Sequence, residues 1–284
     1  MISLPDILCV TLRAISFVLL FQAAGVAVFR AGFGARLEVS DRGICRLGAV
    51  AAIAAIVFTA AYYLLEAARM SGDLTGVFDT SLQRLVMVSS SGAALVCRLV
   101  GLAMIALALA PERTYVALCG VGLTVVSFAL TGHTADHSQR FVLAAMLLTH
   151  IAIGVFWFGS LLPLCLVAQR EPRERAGRVV ESFSRTATWL VPLIAIAGLV
   201  MTAVLIPGWA TLTEPYGQLL IVKSVLFTIL MGLAAANKLR FGPALTAGEP
   251  GAVQGFRRVV VAEFVLICLV LAVTACLTEF FSPE

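Results

Sequence analysis

The feature that most constrains the fold of this chain is a series of uninterrupted apolar runs. Each run is about 20 residues long, the length at which an α-helix crosses the hydrocarbon core of a bilayer. Hydrophobic residues make up 61% and charged residues 13% of the 284 positions, and this charged share is about half that of an ordinary soluble domain. The bilayer admits only helices or closed barrels as spanning structures. Because the runs do not alternate with polar residues, a barrel is excluded, and the sequence predicts an all-α polytopic membrane protein.

We predict eight transmembrane helices, which form a single transmembrane domain over residues 1–284 without a soluble domain or an internal repeat. The first apolar run follows Asp6 and has no basic segment before it. It is therefore expected to be a first span and not a cleaved signal peptide. Each helix is long enough to span the bilayer. The predicted helices cover residues 7–29, 44–68, 92–110, 114–132, 140–168, 185–206, 217–238 and 258–280.

The basic residues predict the orientation of these helices. Fourteen of the 20 lysines and arginines fall on one side of the membrane, and the positive-inside rule makes that side cytoplasmic. Both termini and the turn between the fourth and fifth helices are then periplasmic. The basic residues are spread over loops and form no patch for nucleic acid. They are Arg30, Arg36, Arg42, Arg46, Arg113, Arg170, Arg173, Arg175, Arg178, Arg185, Lys238, Arg240, Arg257 and Arg258.

Three connecting segments carry further predictions. The outer segment 69–91 contains the sequence LQRLVMV, which indicates a short helix at the membrane interface. The inner segment 169–184 carries charges of both signs and is expected to be a solvated loop. The inner segment 239–257 is rich in glycine and proline, which predicts a flexible turn.

All three histidines of the chain lie within 18 residues of one another, at the junction of the fourth and fifth helices. His133 ends the fourth helix, His137 lies in the following turn beside Asp136, and His150 lies about 15 Å inside the fifth helix. A short connection makes these two helices antiparallel neighbours, so His133 and His150 are expected to approach each other. Met146 is one turn before His150 on the same helical face, and Trp157 shares this face.

Imidazole is the commonest protein metal ligand, so this clustering favours a metal site or a cofactor site. We predict a site of His133 and His150, completed by His137 and Met146, that opens to the periplasm. A transported ion must also leave, so the coordination is expected to be incomplete. The alternative is that His133 and His137 are ordinary interfacial residues. In that case His150 binds a nearby hydroxyl group, such as that of Thr149 or Thr131.

Ionisable residues are also predicted just inside the outer face of other helices. A lone charge at this depth is costly and calls for a partner or for snorkelling to the interface. Glu66 is expected to neutralise Arg98 or Lys223, and Lys223 is expected to lie near Glu66 or near the histidines. The residues concerned are Arg13, Glu66, Arg98 and Lys223.

The inner half of the membrane is also predicted to contain polar residues. Asn237 and Glu263 lie within predicted helices, and Glu263 is expected to pair with Lys238 or Arg240. The seven cysteines are scattered singly and contain no CxxC pair. They are expected to fill space inside helices.

Several of these segments together resemble the CopD copper-resistance proteins. The resemblance begins with TGH at Thr131–His133, His150 and the W-x-G-x-L-L-P-L pattern from Trp157 to Leu164. It continues through FSRTA at 183–187, Gly198-Leu199, PYGQLLIVKSVLF at 215–227, NKLR at 237–240 and the helix of Glu263. It covers residues 93–280 well and the first 90 residues more loosely. It implies an eight-helix inner-membrane protein that moves copper and has a periplasmic CopC-like copper carrier as partner.

Two departures from the family pattern bear on the metal. The chain has no fused CopC-like domain, and it has no MxxM or CxxC element that would select cuprous copper through soft ligands. The resemblance implies copper as the bound ion, in an oxidation state that the sequence leaves open.

We interpret the chain as a protein of copper transport or copper handling at the bacterial inner membrane, and not as an enzyme. It is expected to take copper from the periplasm through the histidine site. One alternative is a membrane haem protein in which His150 and either His133 or His137 are the axial ligands. The other is a docking partner that binds a periplasmic copper carrier without binding metal itself.

Overall fold

The structure, a computed structural model, describes residues 3–108, 113–131, 139–205 and 209–281, and within these ranges it contains helices and turns but no strand. This confirms the prediction of an all-α polytopic membrane protein. The α-helices are α1 (Leu4–Phe33), α2 (Asp41–Ser71), α3 (Thr80–Val88), α4 (Ser90–Leu107), α5 (Thr114–Val126), α6 (Arg140–Arg170), α7 (Arg173–Leu205), α8 (Pro215–Ala236), α9 (Gly242–Ala247) and α10 (Ala252–Phe280).

Seven of the described helical segments are long and apolar enough to cross a membrane. They contain α1, α2, α4, α6, α7, α8 and α10. The predicted fourth span is a shorter apolar segment, Thr114–Leu130, in which α5 continues into a 3₁₀ turn at Ser127–Leu130. Each of the eight predicted spans therefore corresponds to a helix. That all eight cross the membrane stays a prediction.

Two of the predicted inner loops are wrong, because both segments are largely helical. In segment 169–184 only Glu171 and Pro172 separate α6 from α7. Acidic residues four positions before arginines stabilise the start of α7, with Glu174 4.0 Å from Arg178 and Glu181 3.0 Å from Arg185. In segment 239–257 a π-helical turn, Asn237–Phe241, leads into α9.

The outer segment between α2 and α4 contains the predicted short helix, α3. The carboxylate of Asp79 accepts hydrogen bonds from the backbone N–H groups of Ser81 and Leu82, which caps the start of α3. The Ser81 hydroxyl donates to the same carboxylate, and its hydrogen bond is the largest cause of the lowered pKa of Asp79. The two backbone hydrogen bonds lower this pKa further. Gly72 ends α2 in the left-handed conformation at φ 77°, which a glycine adopts without strain.

The most enclosed helix is α6, the helix that carries His150. Of its apolar 18-residue window, 72% is buried inside the protein, compared with 6% for α8. Gly159 in α6 lies directly against Gly25 in α1, and a Cβ on either glycine would overlap backbone atoms of the other helix. Small residues allow such close helix contacts in membranes. On another side of α6, the rings of Phe158 and Phe264 of α10 stack at 4.7 Å. The helix is therefore held between α1 and α10.

On the predicted cytoplasmic side, one carboxylate organises the connection between α1 and α2. Oε1 of Glu171 accepts hydrogen bonds from the backbone N–H groups of Glu38, Val39 and Ser40, at 2.9 to 3.0 Å, and from the Ser40 hydroxyl at 2.6 Å. Four donors on one buried carboxylate oxygen fix the end of α6 against this connection. The inner ends of α1, α2 and α6 are thereby joined.

Candidate metal and charge sites within the membrane

His150 is a half-buried residue of α6 whose ring lies against α7. Its Nδ1 is 3.2 Å from the backbone carbonyl oxygen of Ile194. A carbonyl oxygen can only accept, so Nδ1 carries the proton and the lone pair of Nε2 is left free. This arrangement, in which one ring nitrogen is fixed by a backbone carbonyl, is the one that commonly orients metal-binding histidines. The hydroxyl of Thr149 donates to Ala145 instead, so the alternative of a Thr149 partner for His150 is wrong.

The other members of the predicted site are placed as follows. Met146 is half-buried one turn before His150, toward the outer end of α6. His133, His137 and Asp136 lie outside the described residues. Within the part of the chain that the structure describes, no three His, Cys, Asp or Glu side chains converge to hold a metal ion. Of the four predicted ligands, the structure therefore describes two, His150 and Met146, both on α6.

Lys223 in α8 lies within electrostatic range of His150, as predicted. Its ammonium has no hydrogen bond or ion pair with another described residue. The predicted alternative, a position beside Glu66, is not found. An open groove of about 410 Å³ lies between α7 and α8, and Thr202, Ser224 and Thr228 are the polar residues among its mostly apolar lining, which does not include Lys223. A lone ammonium here opposes any cation that approaches the imidazole.

A network of charges joins α1, α2 and α10 at the ends that the sequence predicts to be periplasmic. Arg13 of α1 forms an ion pair with Glu279 of α10, and Arg69 of α2 lies 2.6 Å from the other oxygen of the same carboxylate. The Tyr62 hydroxyl lies 3.2 Å from Oε1 of Glu66 and 3.3 Å from Oε2 of Glu279. Sequence reasoning missed Glu279, although an acidic residue in the last turn of an apolar helix was a visible signal.

Arg98 of α4 is buried, with 4% of its surface exposed. Its guanidinium donates to the hydroxyls of Ser127 at 3.0 Å and Tyr63 at 3.3 Å, and lies 4.6 Å from the centre of the Phe128 ring. Glu66 is within electrostatic range of Arg98 but makes no ion pair with it, and accepts from Tyr62 instead. The expected Glu66–Arg98 pair is therefore wrong, and hydroxyls and aromatic faces hold this cation.

Glu263 of α10 is 2% exposed and lies toward the side that the sequence predicts to be cytoplasmic. The Asn237 amide donates to its Oε1 at 3.2 Å, and the Trp157 indole lies near this carboxylate. The expected pairing of Glu263 with Lys238 or Arg240 is wrong. The Lys238 ammonium donates to the hydroxyl of Thr188 at 2.8 Å. Trp157 therefore belongs to this inner cluster and not to the surroundings of His150.

Two family profiles match the chain. Residues 3–140 match the profile described as Copper resistance protein D-like, N-terminal domain, and residues 177–277 match the one described as Copper resistance protein D. Most of α6, with His150, lies between the two matched ranges.

Three characterised proteins are similar to the chain. Inner membrane protein YebZ of Escherichia coli is 25% identical over 94% of this chain and 96% of its own length. Copper resistance protein D of Pseudomonas syringae is 29% identical over 43% of each chain. Copper transport protein CutJ of Bacillus subtilis is 31% identical over 55% of this chain and 28% of its own length. No solved structure matches the chain.

Proposed function

The chain belongs to the copper resistance protein D family of multi-pass inner-membrane proteins, and from this premise we propose that it takes copper from the periplasm through a site centred on His150. Copper handling at the membrane is the activity that the names of its relatives describe. Those names refer to resistance and transport, which favours a role as a carrier and not as an enzyme.

The single observation that carries this proposal is the environment of His150. Nδ1 is bonded to the Ile194 carbonyl oxygen at 3.2 Å, so in the neutral ring Nε2 is the nitrogen that is available to a metal ion. Neutral imidazole accepts either oxidation state of copper. Because α6 is the most enclosed helix, the ligand position is rigid. The sulfur of Met146, one turn outward, would add a soft ligand that favours the cuprous ion.

His133 and His137 are proposed as the remaining ligands because they lie in the short segment that leads into α6. A site of this kind can load from the periplasm while His150 stays fixed. The positive charge of the nearby Lys223 ammonium repels a copper ion at the site. This repulsion keeps the affinity for copper low enough for the ion to leave. A periplasmic CopC-like carrier fits this scheme as the copper donor.

The decisive experiment is metal analysis of the purified protein after loading with copper. We expect His150→Ala and His133→Ala each to lose most of the bound copper, and His137→Ala to lose less. Thr149→Ala is a matched control, because its side chain bonds only within α6, to the Ala145 carbonyl oxygen. Wild-type copper content in a folded His133→Ala/His150→Ala variant would refute the site.

The same preparation distinguishes the alternatives. A bis-histidine haem protein would show the strong visible absorption of haem after purification. We expect the purified protein to lack this absorption and to be colourless. A docking partner would bind a CopC-like carrier with equal affinity in wild-type and His150→Ala protein, and neither would retain copper.

A further inference from the structure

A second site is formed by Glu263, Asn237 and Trp157 in the inner half of the membrane. Glu263 is eleven residues into α10, about 16 Å along the helix, and only 2% of its surface is exposed. It accepts a hydrogen bond from the Asn237 amide at 3.2 Å, and the Trp157 indole lies near it. Both partners are neutral, so nothing among the described residues pairs with the charge of an ionised carboxylate here.

Two basic residues that follow Asn237 contact other groups, and a third basic residue, Arg257, is exposed. Lys238, the residue after Asn237, donates to Thr188, and Arg240 lies over the ring of Phe241. Arg257 of α10 is exposed, and the Cys165 thiol of α6 lies within electrostatic range of both Arg257 and Glu263.

The other helices that pack on α10 bring no closer charge. In α1, Arg13 pairs with Glu279 and Arg30 with Asp41, 3.0 Å apart. The titratable residues of α8, Tyr216 and Lys223, lie fourteen or more positions before Asn237, toward the outer side. The short helix α9 contains none. A single carboxyl group buried without a cation is stable as the neutral acid.

The amide of Asn237 is suited to both protonation states of this group. Its Nδ2 donates to Glu263, while its Oδ1 is buried without a hydrogen-bond partner. An ionised carboxylate accepts from Nδ2. A protonated Glu263 carboxyl group is a donor. A rotation of the Asn237 amide would bring its unpartnered Oδ1 to this group as the acceptor. Buried polar atoms without a partner are rare, and here the second state of the carboxyl group accounts for it.

The backbone that carries Asn237 is also unusual. Residues Asn237–Phe241 form a π-helical turn at the end of α8, and such turns occur frequently at functional sites. Trp157 shares one face of α6 with His150, two turns or about 10 Å further inward. One rigid helix therefore connects the proposed copper ligand with the inner carboxyl group.

We propose that Glu263, with Asn237 and Trp157, is a proton-binding site whose proton is released when copper occupies the outer site. The coupling rests on the proposed copper function, whereas proton binding by Glu263 does not. A copper ion and a proton would place two positive charges in one low-dielectric helix bundle, where they repel each other. Release of the proton leaves the carboxylate to balance the charge of the ion.

Proton binding is tested by infrared difference spectroscopy of the protein in liposomes without copper. We expect a carboxylic-acid carbonyl band that Glu263→Gln removes. In Asn237→Leu this band should shift to the position of an acid without a hydrogen bond. Glu181→Gln is the control, because Glu181 is exposed and pairs with Arg185 at 3.0 Å. If the band persists unchanged in folded Glu263→Gln protein, the site is refuted.

Coupling is tested by copper uptake into liposomes with and without an imposed pH gradient. We expect the gradient to change wild-type uptake several-fold and to leave Glu263→Gln uptake unchanged. Copper uptake by the wild type that ignores the gradient would overturn the coupling. An absence of any copper uptake, with the infrared band assigned to Glu263, would instead count against the copper function and support the proton site.

Discussion

At the scale of single residues, the spans hold ionisable groups without an opposite charge within ion-pair distance among the described residues. Arg98 is held by hydroxyls and an aromatic face, Glu263 by an amide and an indole, and Lys223 has neither. Neutral partners satisfy hydrogen bonds but leave the net charge in place. We infer that a mobile proton completes the Glu263 site during function, because a proton balances a carboxylate, whereas Arg98 and Lys223 keep their positive charge.

The geometry around Arg98 leads to a prediction about stability. Arg98→Lys keeps the charge, but a lysine ammonium cannot reproduce the planar fork that contacts Ser127, Tyr63 and the Phe128 ring. Leaving a buried hydroxyl without its partner costs about 1–3 kcal/mol. We expect the thermal midpoint of the protein in detergent to fall accordingly.

The control for this substitution is Arg84→Lys, because Arg84 is exposed in α3. It should leave the midpoint unchanged. Equal midpoints for wild type and Arg98→Lys would mean that the contacts of the guanidinium with the hydroxyls and the ring contribute nothing measurable.

At the scale of secondary-structure elements, the crossing of α1 and α6 positions both proposed sites. In Gly159→Ala the new methyl group would overlap the Cα of Gly25, so the two helices must separate. Overpacking of this kind costs about 1–3 kcal/mol. We expect a lower thermal midpoint and a loss of copper binding at His150, although Gly159 lies nine residues from it.

Gly232→Ala in α8 is the matched control, because no atom lies within 4 Å of its added Cβ. It should keep both the midpoint and the copper content of the wild type. If Gly159→Ala behaves in the same way, the close contact between the two helices is not needed for the site.

The cap of α3 gives a pH-dependent prediction. The folded pKa of Asp79 lies below its ordinary value of 3.8. Its stabilisation of α3 is therefore fully present above that value and is lost as the pH falls through the folded pKa. We expect a spin label at position 84 to become mobile in that acidic range. Asp79→Asn keeps an acceptor that does not titrate, so its label should remain ordered there, while in Asp79→Ala it should be mobile at every pH.

At the scale of the whole molecule, the orientation in the membrane remains a prediction from sequence. Fourteen of the 20 basic residues share one side, which places both termini and Ser138 in the periplasm. Reporter fusions at Ser138 should therefore be active only with a periplasmic reporter. Fusions at Glu249, between α9 and α10, should be active only with a cytoplasmic one. The reverse pattern would invert the direction in which the histidine site opens.

The sequence predicted the spans and the importance of α6, because apolar length and the depth of His150 are local properties. It could not predict that Ile194 binds His150, that Trp157 and Asn237 bind Glu263, or that Glu279 joins two arginines. Each of these contacts depends on which helices are neighbours. The start of α7 was missed for a different reason. Its charged first turns resemble a solvated loop, and only the four-residue spacing between glutamates and arginines indicates a helix.

The outer charge network also has a consequence for the synthesis of the protein. Arg13 and its partner Glu279 are separated by 266 positions, which at about 5–20 residues per second corresponds to roughly 15 to 50 s of translation. During this interval Arg13 and Arg69 are already in the nascent chain while their carboxylate does not yet exist. Until α10 inserts, the Arg13 guanidinium can snorkel to the lipid headgroups, while Arg69 already has the carboxylate of Asp6, which lies 3.2 Å away in the folded protein. The Glu279 carboxylate thus becomes available only when α10 has been made, and a ribosome that stalls before α10 leaves a product in which Arg13 and Arg69 lack this carboxylate.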